Sequence, residues 1–254
     1  TITDGTNTAT QAITITVTNV NESTPAFTSD SSFSIAEGTD SVATLTGSDA
    51  DLTTPTFSTT LAGDDAGDFT LTSGGVLAFA ATPNFESPAD ANTNNVYSIT
   101  ATITDGTNTA TQAITITVTD ENDNNPVLSV ATPYSVAENT TTVATVTASD
   151  ADAGTTITFS LSGTDSGDFA IDSSSGAITF NSAPDFETPG SVANSNAYSL
   201  NVVASDGTNT DTEAIVVNVT DTNDESPVLS VATPYSVAEN TTTVATVTAS
   251  DADA

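Results

Sequence analysis

The chain of 254 residues contains no lysine, no arginine and no histidine, and no cysteine, methionine or tryptophan either. Each absence removes a class of chemistry. Without cysteine there are no disulfides and no thiolate metal sites. Without histidine and lysine there are no imidazole ligands, no Ser-His-Asp or Cys-His nucleophiles and no Schiff bases. Nothing in the chain can neutralise phosphates, which argues against nucleic acid as a partner. The same lack argues against an anionic membrane surface. No ion pair between side chains can form. What is present is 33 carboxylates, a formal charge of −33 and an isoelectric point near 4.1.

Such a charge favours disorder when apolar residues are scarce. Here hydrophobic residues make up 36% and charged ones only 13%. Threonine is abundant, and the apolar set is mostly Val, Ile, Ala and Phe, the residues of half-buried strands. No run of about 18 apolar residues exists to span a bilayer, so no membrane contact is expected in this stretch.

The sequence repeats with a period of 101 residues. Thr1–Thr18 (TITDGTNTATQAITITVT) recurs unchanged at Thr102–Thr119, and a diverged copy runs from Ala204 to Thr220. Pro126–Ala153 recurs unchanged as Pro227–Ala254. Repetition this strong decides the architecture before any local reading. It predicts whole repeats over 26–125 and 126–226, the C-terminal part of a repeat over 1–25, and the N-terminal part of the next over 227–254. Such a chain reads as a window cut from a longer tandem array, so a missing signal peptide or anchor carries no weight.

Ile13, Ile15 and Val17 alternate with threonines, as do Ile114, Ile116 and Val118, and Ile215, Val217 and Val219 follow the same period. Period-two alternation marks half-buried antiparallel strands. Asp-Gly at 4–5, 105–106 and 206–207 marks the turn between two such runs. About seven strands per repeat predict an all-β fold of tandem seven-stranded Greek-key β-sandwiches.

The carboxylates recur at fixed places. Each repeat ends on an acidic linker, Asp120-Glu-Asn-Asp-Asn-Asn-Pro126 and Asp221-Thr-Asn-Asp-Glu-Ser-Pro227. Ala137-Glu138-Asn139, Asp150-Ala-Asp152, Phe169-Ala-Ile171-Asp172, Pro184-Asp-Phe-Glu187 and Tyr198 through Asp206 follow in order. These six motifs, in register over the whole chain, resemble the cadherin repeat. Near-identity between neighbouring copies further resembles the long cadherin-like arrays of bacterial surface proteins.

The resemblance implies up to three Ca²⁺ ions at each boundary between repeats. For the middle linker it implies Glu37 and Glu86 from the repeat before, and Asp120, Asn122, Asp123 and the carbonyls of Glu121 and Asn124 from the linker. Asp150, Asp152 and Asp206 come from the repeat after. For the third linker it implies Glu138, Asp185, Glu187, Asp221, Asn223, Asp224, Glu225, Asp251 and Asp253. The donor chemistry agrees, since Ca²⁺ takes six to eight oxygen ligands from carboxylates, amides and backbone carbonyls. Mg²⁺ demands a smaller octahedral cage and suits the set less well.

The first linker departs from the pattern. It reads Asn19-Val-Asn21-Glu22-Ser-Thr-Pro25, so Asn replaces the first Asp and Glu the second, while Asp49, Asp51 and Asp105 are kept. Its candidate ligands are Asn19, Asn21, Glu22, Asp49, Asp51 and Asp105, and fewer ions are expected there, with a site on the Asp49–Asp51 pair surviving. Asn84 stands where the next repeat has Asp185, and Gly38 where it has Asn139, the latter with no evident consequence. Asp64, Asp65, Asp68, Asp165 and Asp168 lie outside the pattern and read as turn and surface charges. Asp165-Ser-Gly167 has the letters of an aspartic-protease motif, but its counterpart is Asp65-Ala-Gly67 in another repeat, so no shared-proton dyad is expected.

The expected function is a calcium-stiffened extracellular stalk or filament segment, not an enzyme. Its partners are the neighbouring repeats of the same chain and, laterally, identical filaments. The alternative is that the repeats themselves bind a partner in calcium-dependent adhesion.

Overall fold

A computed structural model describes residues 1–51, 53–231 and 233–253. The chain divides into two compact units, Thr1–Glu121 and Asn122–Ala254.

The first unit opens with a short hairpin, β1 (Ile2–Thr3) and β2 (Thr8–Ala9). Nine strands follow: β3 (Ala26–Phe27), β4 (Ser32–Ala36), β5 (Ser41–Thr44), β6 (Gly47–Ser48), β7 (Thr56–Phe57), β8 (Phe69–Leu71), β9 (Val76–Phe79), β10 (Val96–Thr104) and β11 (Thr109–Thr119). One sheet has the order β4-β11-β10-β7, the other β5-β9-β8, with β3 paired to β6. Pairing is antiparallel except that β4 runs parallel to β11, Ser32–Ala36 against Thr115–Thr119.

The second unit repeats the plan with β12 (Val127–Ser129), β13 (Tyr134–Ala137), β14 (Thr142–Thr145), β15 (Thr147–Ser149), β16 (Thr158–Ser162), β17 (Phe169–Ile171), β18 (Ala177–Phe180), β19 (Ala197–Ser205) and β20 (Thr210–Thr220). Its sheets are β13-β20-β19-β16 and β14-β18-β17, with β12 paired to β15. A last pair, β21 (Val228–Ser230) and β22 (Thr248–Ser250), completes it. The seven expected runs thus resolve into nine strands per repeat. The first run is split because its halves join different partners, β3 with β6 and β4 with β11, which lets the chain pass from one sheet to the other.

The alternating residues do what their period requires. Tyr97, Ile99, Ala101 and Ile103 from β10 and Ile114, Ile116 and Val118 from β11 meet Phe69, Leu71, Leu77 and Phe79 of the facing sheet in one buried cluster. Tyr198, Leu200, Val202, Ile215, Val217 and Val219 do the same with Phe169, Ile178 and Phe180. Phe69 and Phe79 each meet Tyr97 edge-to-face at the centre, with ring centroids 5.3–5.5 Å apart.

One expectation fails. Ile13, Ile15 and Val17 were predicted to lie in a half-buried strand, yet they stand 81–90% exposed and outside any strand. Ile114, Ile116 and Val118, in an identical sequence, are at most 1% exposed. Alternation specifies a strand only where a sheet accepts it. Around residues 10–18 no partner strand is present among the described residues.

The Asp-Gly turns are four-residue loops. Gly106 takes φ +96°, and Asp105 Oδ1 accepts the N–H groups of Thr107 and Asn108, both at 2.7 Å. Asp206 repeats this with Thr208 and Asn209. The loop therefore fixes a carboxylate at one end of each sandwich.

Candidate metal centres

Glu37 and Glu138 begin the construction. Each follows the strand that pairs in parallel with the last strand, and each side chain turns inward to 6% and 3% exposure. Glu37 accepts N–H groups from Phe85 and Glu121, at 2.7 and 2.9 Å. Glu138 accepts them from Phe186 and Thr222, both at 2.7 Å. One buried carboxylate thus ties the loop carrying Glu86 or Glu187 to the start of the linker. Charge-assisted bonds of this kind are the strong ones.

At the third linker, Glu138, Glu187 and Asp221 offer oxygens within 4.8 Å of one another, and so do Glu187, Asp224 and Asp253. Glu187 belongs to both groups. Its Oε1 is buried without a hydrogen-bond partner. Burial pushes its carboxyl above the ordinary value, and the charges of Glu138, Asp221 and Asp253 add to that. Asp253 accepts the Glu225 N–H at 3.0 Å. Four expected residues stand outside these groups, Glu225 among them. Asp185 is exposed and accepts the Thr188 N–H at 2.8 Å. Asn223 is exposed, and Asp251 is exposed and accepts the Asp253 N–H at 3.4 Å.

The middle linker's residues divide between the two units. In the first, both carboxylate oxygens of Glu86 are buried without a hydrogen-bond partner. Burial and the charges of Glu37 and Asp120 raise its carboxyl. In the second, Asp150, Asp152 and Asp206 gather within 4.8 Å. Asn124 donates to Asp152 through its backbone at 2.9 Å and its amide at 2.7 Å, and also to Asp123. Asp150 Oδ1 accepts the Asp152 N–H, and its Oδ2 is buried without a partner. One end of the Asn122 amide lies 3.0 Å from Asp206 Oδ2 and 3.3 Å from Asp152 Oδ2. As nitrogen it donates to both carboxylates; as oxygen it completes an all-oxygen cage that needs a cation at its centre. Burial pushes Asp206 up, but the bonds from Asn209, Thr208 and Asn122 outweigh it and hold the carboxyl below the usual range.

The first linker is built differently. Asn19 donates its amide to the Asp51 carbonyl at 2.6 Å. Ser23 N–H donates to Asp51 Oδ2 at 2.6 Å, and Asn108 holds the Ser23 carbonyl at 2.8 Å. Asn21 points its amide nitrogen at Thr107 and the Asp105 carbonyl. Asn21 Oδ1 and Asp49 Oδ2 are buried without partners. Glu22 is exposed. No three carboxylates gather at this linker among the described residues, whereas the counterparts of Asp49, Asp51 and Asp105 do gather.

Two residues read as surface charges are not. Asp65 and Asp165 are each 4% exposed. Asp65 accepts the N–H groups of Ala91 and Ser98, and Asp165 those of Val192 and Ser199, at 2.6–2.9 Å. Burial follows because every carboxylate oxygen finds a backbone donor. Asp90, also buried, was missed; it accepts Asn94 and Asn95 in the same way. No periodicity in the sequence marks these residues.

Calcium fits what is present. The donors are all oxygen, and orphaned buried oxygens of Glu86, Asp150 and Glu187 lie among mutually repelling carboxylates. A buried acceptor without a partner is costly unless a donor or cation satisfies it.

Residues 132–220 match the Cadherin domain model. Over 156 residues, 57% of this chain, the sequence is 39% identical to human Cadherin EGF LAG seven-pass G-type receptor 2. Over 244 residues, 86% of the chain, it is 32% identical to the Drosophila melanogaster Protocadherin-like wing polarity protein stan. The chain spans only 5% and 6% of those two proteins. The structure of mouse Cadherin-23 EC22-24 superposes with a TM-score of 0.70 at 26% identity, covering 92% of this chain and 79% of that one. The Protocadherin GammaB4 extracellular domain gives 0.71 at 29% identity, covering 92% and 39%. These relatives are animal proteins, so the expected kinship with bacterial arrays is not borne out. Residues 132–220 thus carry a cadherin domain, an extracellular adhesion module rather than an enzyme.

Proposed function

We propose that this chain is a calcium-rigidified stretch of a long extracellular stalk, with repeats at 26–125 and 126–226 flanked by parts of two more over 1–25 and 227–254. The observation that carries the reading is the gathering of carboxylates at repeat ends around buried oxygens that no hydrogen bond satisfies. Calcium supplies the positive charge that lets these groups sit together and joins the linker to the repeats on either side. Glu37, Glu86, Asp120, Asp123, Asp150, Asp152 and Asp206 hold it at the middle linker, with Asn122 and the carbonyls of Glu121 and Asn124. Glu138, Glu187, Asp221, Asp224 and Asp253 hold it at the third, with Asp185, Asn223, Glu225 and Asp251 as further ligands. At the first linker Asn21, Asp49, Asp51 and Asp105 hold a single ion, with Asn19 and Glu22 outside it.

Small-angle scattering tests the stiffening: the maximum dimension of the full chain shortens when calcium is chelated. An unchanged dimension would overturn the reading. Calcium titration of the full chain tests the distribution. Asp51→Asn removes one bound ion and Asp152→Asn at least two; equal losses would refute the difference between the linkers.

A second reading is lateral self-association. The outward residues of both four-stranded sheets, such as Thr102, Thr111 and Thr115 or Ser160, Thr212 and Val216, include no carboxylate in a chain of −33. Sedimentation in calcium that shows no concentration dependence would exclude it.

A further inference from the structure

Asn139 stands between the two ligand-bearing segments of the third linker. Its backbone N–H donates to the Pro184 carbonyl at 2.9 Å, at the root of the loop that carries Glu187. Its side-chain amide donates to Asp224 Oδ2 at 2.5 Å. The residue takes φ +62°, a left-handed conformation that Asn adopts far more readily than most side chains. That conformation turns the amide toward the linker. Gly38 occupies the same place in the preceding repeat, at φ +71°, and its N–H likewise reaches the Pro83 carbonyl. Glycine keeps the backbone bond and lacks the side-chain one. The sequence gives no reason to value this difference; the structure does, because Asp224 is the exposed member of a carboxylate group whose other members, Glu187 and Asp253, are partly buried.

We propose that Asn139 is a positioning residue that sets the calcium affinity of the third linker by holding Asp224 in its ligand pose before the ion arrives. The proposal rests on the calcium reading above. An ionised carboxylate accepts several hydrogen bonds, so the amide on Oδ2 leaves Oδ1 for the group shared with Glu187 and Asp253. Restraining an exposed side chain in advance removes part of the ordering cost of binding. It also holds Asp224 near two like charges that would otherwise drive it into solvent.

Asn139→Gly in the full chain tests this, because glycine tolerates the left-handed backbone and only the side chain is lost. Calcium affinity at the third linker falls about three- to tenfold, the range expected for losing one exposed hydrogen bond of ordinary net strength. Combined with Asp224→Asn the loss is smaller than the sum of the two single effects, since both changes break the same bond. In chelator, amide exchange at Asp224 and Glu225 speeds up in Asn139→Gly, while Phe180 and Tyr198 in the core keep their protection. Unchanged or tighter affinity, additive losses, or unchanged linker exchange would each overturn the positioning role. A wild-type chain that binds no calcium, with linker exchange still faster in the variant, would instead overturn the calcium reading alone.

Discussion

Hydrogen-bond donors divide the carboxylates that the fold constrains into three kinds. Asp65, Asp90 and Asp165 are buried because backbone N–H groups satisfy them. Asp165→Ala leaves the Val192 and Ser199 donors buried and unpaired, and is expected to cost about 2–3 kcal/mol in urea unfolding. Asp105 and Asp206 sit in turns whose N–H groups hold their carboxyls below the ordinary 3.8. Glu86 and Glu187 lack donors, and burial lifts them above the ordinary 4.5. The two shifts have opposite linkage. A raised carboxyl binds its proton more tightly when folded, so the calcium-free chain gains stability as pH falls through the raised values toward 4.5. A depressed carboxyl contributes stability above 3.8 and loses it as pH falls further, through the folded value. Melting temperature in chelator therefore passes through a maximum at mildly acidic pH. With saturating calcium it falls from neutral pH downward, because protons displace the ion. A chelated chain whose melting temperature only declines on acidification would contradict the assignment of Glu86 and Glu187.

At the scale of strands and turns, pattern was legible where partners exist. Strands β11 and β20 follow from alternation alone, and the Asp-Gly turns from their two letters. The candidate ligand positions came from motif order, which assigned them to repeat ends. What alternation could not say is whether a partner is present: Ile13 and Ile114 share a sequence context, yet the first is 81% exposed and the second 1%. Nor could it find the Asp65 and Asp165 staples or the bond from Asn139, because those depend on which backbone donors the fold brings opposite a side chain. Close approach of backbones was equally invisible. Gly176 sits at φ +71° with its missing Cβ 2.4 Å from the Val146 carbonyl oxygen. Gly176→Ala must push the β17–β18 hairpin away from that carbonyl, and a loss of about 2 kcal/mol or more is expected by chemical denaturation.

At the scale of the whole molecule, 33 carboxylates and no side-chain cation mean that counterions, not ion pairs, set solubility and self-repulsion. The parallel pairing of β4 with β11 and of β13 with β20 has a mechanical meaning. In each unit the first run ends in one of these strands, and the last long strand is its parallel neighbour. Pulling on the two ends drags the strands past each other lengthwise. The inter-strand hydrogen bonds then carry the load together rather than opening one after another like a zip. Tension passed along the chain therefore meets, in each of the two units, a latch that resists as a whole.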